Sequence, residues 1–203
     1  MVRQMKKKIM NTEPPSANPY QKRIFTIPNM LSVIRIGLLP VIMWLYCVAN
    51  QRSLAGMVFV VSGLTDIIDG FIARKFNMIS DLGKILDPVA DKLTQTVMML
   101  CLISRFPWML LPFALLLLKE SYMAISGFYV IRKTGQVMGA VWHGKLSTVC
   151  LFAMMLLHIF WATIAPAVSF FSIIVCSAMI LLSFVLYAIR NTQAIHRSRK
   201  HNG

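Results

Sequence analysis

The chain has 203 residues, 57% of them hydrophobic and 14% charged, with a formal net charge of +14. Soluble domains carry roughly 25% charged residues and 45–50% apolar ones, so the composition is that of an integral membrane protein. The basic excess does not mark a nucleic-acid binder, because Lys and Arg fall in short clusters between apolar runs and not on one polar domain.

Residues 1–19 carry Arg3, Lys6, Lys7 and Lys8 and then Pro14, Pro15 and Pro19. They read as a flexible basic tail facing anionic lipid, and not as a signal peptide, since no apolar core follows the charges closely. Tyr20 to Pro28 mixes Lys22 and Arg23 with Ile24, Phe25 and Ile27, the pattern of a short juxtamembrane helix lying on the membrane surface. Six apolar runs follow, at 30–49, 54–73, 85–104, 108–131, 146–165 and 167–189. Each approaches the roughly 20 residues that a spanning helix needs, and no stretch alternates apolar and polar residues as a strand would.

The connectors after runs one, three and five are very short and hold only Arg52 and Arg105. The opposite side holds Arg74, Lys75, Lys84, Arg132, Lys133 and Lys145, and Arg190, Arg197, Arg199 and Lys200 follow the last run. Positive residues collect on the cytoplasmic side, so both termini are expected in the cytoplasm. The expected fold is therefore all-α, with six transmembrane helices in a domain over 20–190, preceded by the tail 1–19 and followed by a basic cytoplasmic tail 191–203.

Only seven residues are acidic, and five of them, Asp66, Asp69, Asp81, Asp87 and Asp91, fall within twenty-six positions. With this topology Asp69 lies roughly 6 Å and Asp66 roughly 10 Å above the cytoplasmic end of run two, and Asp87 and Asp91 reach matching depths in run three. Asp66 and Asp69 are three apart and Asp87 and Asp91 four apart, so each pair shares a helix face. Four bare carboxylates near the headgroup level repel one another and are costly to desolvate, which calls for protons or bound cations. The ligands are all oxygen, which suits Mg²⁺ or Mn²⁺ and disfavours zinc. Four negative charges suit two such ions, the clamp used for displacement at phosphorus. Gly70 and Gly83 lie one turn from Asp66 and Asp87, leaving each acidic face with a missing side chain, and Arg74 is placed to reach a phosphate from the mouth. Taken alone, the acids also fit a divalent-ion or proton-coupled transporter. Asp81 lies in the connector and reads as solvated or as a helix cap.

The pattern Asp66-x2-Asp69-Gly70-x2-Ala73-Arg74-x8-Gly83-x3-Asp87-x3-Asp91 resembles the signature of the CDP-alcohol phosphotransferase family at each of its positions. The resemblance implies a six-helix membrane enzyme, often a homodimer, with a cavity open to the cytoplasm. It implies two divalent ions, Mg²⁺ or Mn²⁺, held by Asp66, Asp69, Asp87 and Asp91. It also implies a CDP-lipid donor, commonly CDP-diacylglycerol, lying against Gly70, Ala73, Arg74 and Gly83, with CMP as the leaving group and Asp91 as the base for the acceptor hydroxyl.

The segment from Ile27 through Pro28, Asn29 and Ser32 to Arg35 resembles the start of helix one in the branches that make phosphatidylglycerophosphate and cardiolipin, and gives Asn29 to the donor wall and Arg35 to the acceptor side. Lys119 and Glu120 sit deep in run four, where a charged pair implies function or internal pairing. The expected acceptor set is Arg35, Lys119, Arg132 and Lys145. Its basic character favours glycerol 3-phosphate, with phosphatidylglycerol the alternative acceptor. Gly144-Lys145-Leu146-Ser147-Thr148 resembles the start of helix five in the same branches. Gly127, where phosphatidylglycerophosphate synthases usually carry arginine, departs from that pattern. Trp142 and His143 read as an interfacial anchor, His158 as a packed and satisfied histidine, and Cys47, Cys101, Cys150 and Cys176 as small helix residues with no disulfide or zinc role.

Overall fold

A computed structural model describes residues 26–76, 80, 82–134, 142–161 and 163–201, with the side chains of 74, 84, 131, 133, 134 and 194–201 excepted. The tail 1–19, most of the expected juxtamembrane helix and Asp81 lie outside the described residues.

Helix α1, Ile27–Met43, starts earlier than its apolar run. Thr26 is its N-cap, accepting from the Asn29 backbone N–H at 3.4 Å, and Pro28 sits in the first turn where no intrahelical N–H is needed. A π-helical turn, Trp44–Val48, continues it shortly after Pro40. Asn50 then adopts φ 56°, a left-handed conformation that Asn tolerates, and its Oδ1 accepts from Arg52 Nη2 at 2.8 Å. This tight corner feeds α2, Arg52–Lys75. The remaining helices are α3, Gly83–Ile103; α4, Leu110–Thr134, entered through a 3₁₀ turn at Pro107–Met109; α5, Trp142–Phe160; and α6, Pro166–His201. The 36 residues of α6 span about 54 Å, so the helix carries on through most of the expected C-terminal tail.

Among the described residues five stretches are long and apolar enough to cross a membrane: Ile27–Val48, Arg52–Ala73, Pro107–Val130, Trp142–Phe160 and Pro166–Gln193. The remaining long helix, α3, has enough residues but carries Lys84, Asp87, Asp91 and Lys92 in its first half.

The helices form two groups of three. Helix α1 packs along both α2 and α3, and α6 packs along both α4 and α5. Contacts of α5 with α2 and α3 join the groups. One end of the bundle is an apolar core of Ile42, Leu45, Phe59, Met98, Met99, Leu102, Met155 and Ile180. At the other end the buried residues are polar, among them Asn29, Arg35, Asp69, Lys119, His143 and Asn191. Buried polar groups require partners, and here they find them across helices: Asn191 Nδ2 donates to Ser126 Oγ at 2.8 Å, tying α6 to α4.

Candidate active site

The polar end is built around Arg35, whose side chain is only 2% exposed. Its Nη1 donates to Asp66 Oδ1, and its Nη2 donates to Asp69 Oδ2 at 2.8 Å. Asp87 Oδ1 lies 3.6 Å from Nη1. The two acids on α2 come from adjacent turns of one face, Asp87 comes from the start of α3, and α1 delivers the guanidinium between them. Placing α2 and α3 as simple antiparallel neighbours therefore omits the third element, the α1 helix that contacts both. Ser32, one turn before Arg35, has its hydroxyl 3.3 Å from Asp87 Oδ1 and 3.1 Å from the Pro28 carbonyl, and its single hydrogen serves one or the other.

Asp66, Asp69 and Asp87 each offer an oxygen within 4.8 Å of the others. Asp91 stands beside this trio. Its Oδ2 accepts from Gln95 Nε2 at 2.9 Å, one turn further along α3. With Asp66 it lines a cavity of about 400 Å³ between α2, α3 and α5. Phe59, Leu64, Phe152 and Leu156 make the walls apolar, and Thr148 adds a hydroxyl.

A divalent metal ion fits these residues. The donor set is entirely oxygen, three carboxylates already converge, and Asp69 Oδ1 is buried with no hydrogen-bond partner among the described residues. Arg35 Nε and Gln95 Oε1 are buried without a hydrogen-bond partner in the same sense.

Asn29 and Gly83, both expected at the donor, are brought together. Gly83 N–H donates to Ser80 Oγ at 3.0 Å, and the Ser80 hydroxyl donates to Asn29 Oδ1 at 3.0 Å. A Cβ on Gly83 would stand 2.5 Å from Asn29 Oδ1, so the missing side chain is filled by the Asn29 amide. Gly70 and Ala73 lie on α2 in the turns after Asp66, both half-buried, and the Arg74 side chain is outside the described residues.

The expected acceptor residues separate. Lys119 is buried on α4, with Nζ 3.4 Å from Ser147 Oγ and 3.5 Å from Glu120 Oε1. Glu120 in turn accepts from Lys92 Nζ at 3.0 Å. This chain of charges links α3, α4 and α5 and begins beside Asp91. Arg132 is exposed and lies 4.9 Å over the Phe128 ring, and Lys145 is also exposed. Arg35, assigned to the acceptor side, is instead enclosed by the acids.

Gln95 and Lys92 escaped the sequence reading. The spacing of Gln95 from Asp91, one helical turn, was a usable signal, whereas the Lys92–Glu120 contact crosses helices. The anchor reading of His143 is corrected. Trp142 is exposed as an anchor would be, but His143 is buried, with Nδ1 3.3 Å from Ser183 Oγ and its ring edge against Tyr187. His158 is satisfied as expected. Its Nδ1 donates to the Met154 carbonyl at 2.8 Å, which leaves Nε2 to accept from Ser169 Oγ at 2.9 Å. The four cysteines are free thiols.

An oxygen-lined cluster thus stands at the polar end of a bundle of apolar helices, beside a cavity walled mostly by hydrocarbon. The sequence profile of the CDP-alcohol phosphatidyltransferase family matches residues 25–186, and the chain belongs to that family. It is 45% identical over 69 residues to a CDP-diacylglycerol–glycerol-3-phosphate 3-phosphatidyltransferase of Rickettsia typhi, covering 33% of this chain and 39% of the relative. To the human cardiolipin synthase (CMP-forming) it is 37% identical over 120 residues, 59% of this chain and 39% of the relative. With a Mycobacterium bovis protein the match runs over 192 residues at 30% identity and covers 90% of each chain. The chain thus spans less than half the length of the rickettsial and human relatives.

Proposed function

We propose that the protein transfers a phosphatidyl group from CDP-diacylglycerol to glycerol 3-phosphate, releasing CMP and forming phosphatidylglycerophosphate. The observation that carries this reading is the union of the carboxylate trio with a cavity lined by Asp66 and Asp91 and otherwise walled mostly by apolar side chains. Family membership supports it, as does the rickettsial relative's named activity.

Asp66, Asp69, Asp87 and Asp91 would hold two divalent ions, Mg²⁺ or Mn²⁺, which when bound neutralise the donor diphosphate. The donor head lies along Asn29, Gly70, Ala73, Arg74 and Gly83, with the hydrocarbon on the apolar side. Asp91, fixed through Oδ2 by Gln95, takes the proton of the acceptor hydroxyl through its other oxygen. The new bond joins the acceptor oxygen to the β-phosphorus, and the bond from that phosphorus to the CMP oxygen breaks. Lys119, held between Ser147 and Glu120, supplies positive charge to an anionic acceptor from the α4 side.

A second reading has a lipid acceptor, phosphatidylglycerol, and cardiolipin as product. It is favoured by the exposure of Arg132 and Lys145 and by the apolar walls of the cavity. Ion transport draws no such support, because no acidic residue stands in the apolar half of the bundle to continue a path. The enzyme works as a homodimer in the cell membrane with six spanning helices, α3 included, and with both termini and the site on the cytoplasmic side. The basic residues at that end support this orientation. Purified protein given radiolabelled CDP-diacylglycerol and a panel of acceptors, followed by product chromatography, tests the reading. Labelled phosphatidylglycerophosphate is expected. Labelled cardiolipin would move the assignment to the second reading, and no labelled lipid from any acceptor would sink both.

A further inference from the structure

Arg35 has a place that neither donor nor acceptor binding explains. Its side chain is 2% exposed, its two terminal nitrogens are directed at Asp66 and Asp69, and Asp87 lies 3.6 Å away. These are the three carboxylates that converge as a candidate cation site. We propose that Arg35 is a built-in counter-ion of the metal centre, sharing these carboxylates with the divalent ions and setting how tightly the ions are held. The proposal rests on the metal-dependent reading above and assigns Arg35 a positioning role within it.

The charges make the case. Counted by formal charge, four aspartate carboxylates and one guanidinium come to three negatives. Two divalent ions bring the cluster to one positive charge, where the same acids without Arg35 would come to zero. Arg35 therefore has two effects. Without metal it neutralises part of a buried acid cluster that would otherwise repel itself. With metal it repels the ions at close range and leaves a surplus positive charge facing the donor diphosphate. Ser32 complements this by placing its hydroxyl 3.3 Å from Asp87, the member of the trio farthest from the guanidinium.

The test is a Mn²⁺ titration of the purified full chain in detergent by isothermal calorimetry, set beside donor kinetics. Arg35→Gln is expected to bind Mn²⁺ at least about tenfold more tightly than the native protein, while its KM for the CDP-lipid rises. Arg35→Lys keeps the charge and is expected to bind Mn²⁺ within about threefold of the native protein. Unchanged or weaker Mn²⁺ binding by Arg35→Gln would overturn the proposal, leaving Arg35 a substrate contact or a metal-site scaffold. If Arg35→Gln is unfolded without metal, recovery of its thermal transition on adding Mn²⁺ supports the proposal and failure to recover overturns it. A native protein that binds no Mn²⁺ would defeat the metal reading itself, a result distinct from native binding with an unaltered variant.

Discussion

Gly83→Ala tests the donor half of the site with a single methyl group. The added Cβ would stand 2.5 Å from Asn29 Oδ1 and 3.0 Å from Ser80 Oγ. Restoring ordinary contact requires the Asn29 amide to retreat by roughly 0.9 Å. That amide is buried and accepts the Ser80 hydroxyl hydrogen at 3.0 Å, so it does not move freely. The lost hydrogen bond costs about 1 kcal/mol and the overpacking about 1–3 kcal/mol, with little offset from helix propensity because Gly83 is the first residue of α3. At the lower end, a net of about 2 kcal/mol corresponds to roughly 30-fold. If the displaced groups line the donor site as proposed, the loss is expected in KM for CDP-diacylglycerol with kcat little changed. The assay is steady-state CMP release with the donor varied in mixed micelles. Gly37→Ala, where nothing lies within 4 Å of the new Cβ, is the control and should leave KM as it is. A donor KM for Gly83→Ala equal to that of Gly37→Ala would refute the assignment of Asn29 and Gly83 to the donor wall.

Two other substitutions address different parts of the molecule. Lys119→Met should raise KM for an anionic acceptor by about tenfold or more and leave the donor KM near its native value, and equal effects on both would place Lys119 outside the acceptor pocket. His158→Phe removes both hydrogen bonds of the ring and strands the Ser169 hydroxyl, so the thermal transition should fall by an amount equivalent to about 1–3 kcal/mol while kcat holds; a loss of kcat at unaltered stability would show that the residue does more than pack.

The acid cluster was legible because four aspartates in a chain with few acids, at three- and four-residue spacings, leave little freedom once the helices are antiparallel. What spacing could not show was the helix between them. Arg35 sits one turn after Ser32 in an apolar run, and nothing in that run says which neighbours it faces. Only the packing of α1 along both α2 and α3 makes it part of the acid site. The same limit hid Lys92, whose partner Glu120 is on another helix. Helix ends shifted for a related reason. Trp142, His143, Gly144 and Lys145 fell outside the apolar run, yet α5 starts at Trp142, with His143 turned inward to Ser183 and Tyr187. Hydropathy records transfer to lipid, and polar residues satisfied inside a bundle do not obey it. For His158 the sequence was enough, because a histidine deep in an apolar run must find internal partners, and Met154 one turn back is always within reach.

The central claim, phosphatidyl transfer at the carboxylates with Asp91 as base, meets its most direct test in CMP release from CDP-diacylglycerol by native protein and by Asp91→Asn, with binding of the CDP-lipid measured on the same samples. Native protein is predicted to release CMP when Mg²⁺ or Mn²⁺ and glycerol 3-phosphate are present and to stop when the metal is chelated. Asp91→Asn should bind the donor within about threefold of native affinity and lose about a hundredfold or more in turnover. Near-native turnover by Asp91→Asn, or metal-independent CMP release by the native protein, would contradict the account.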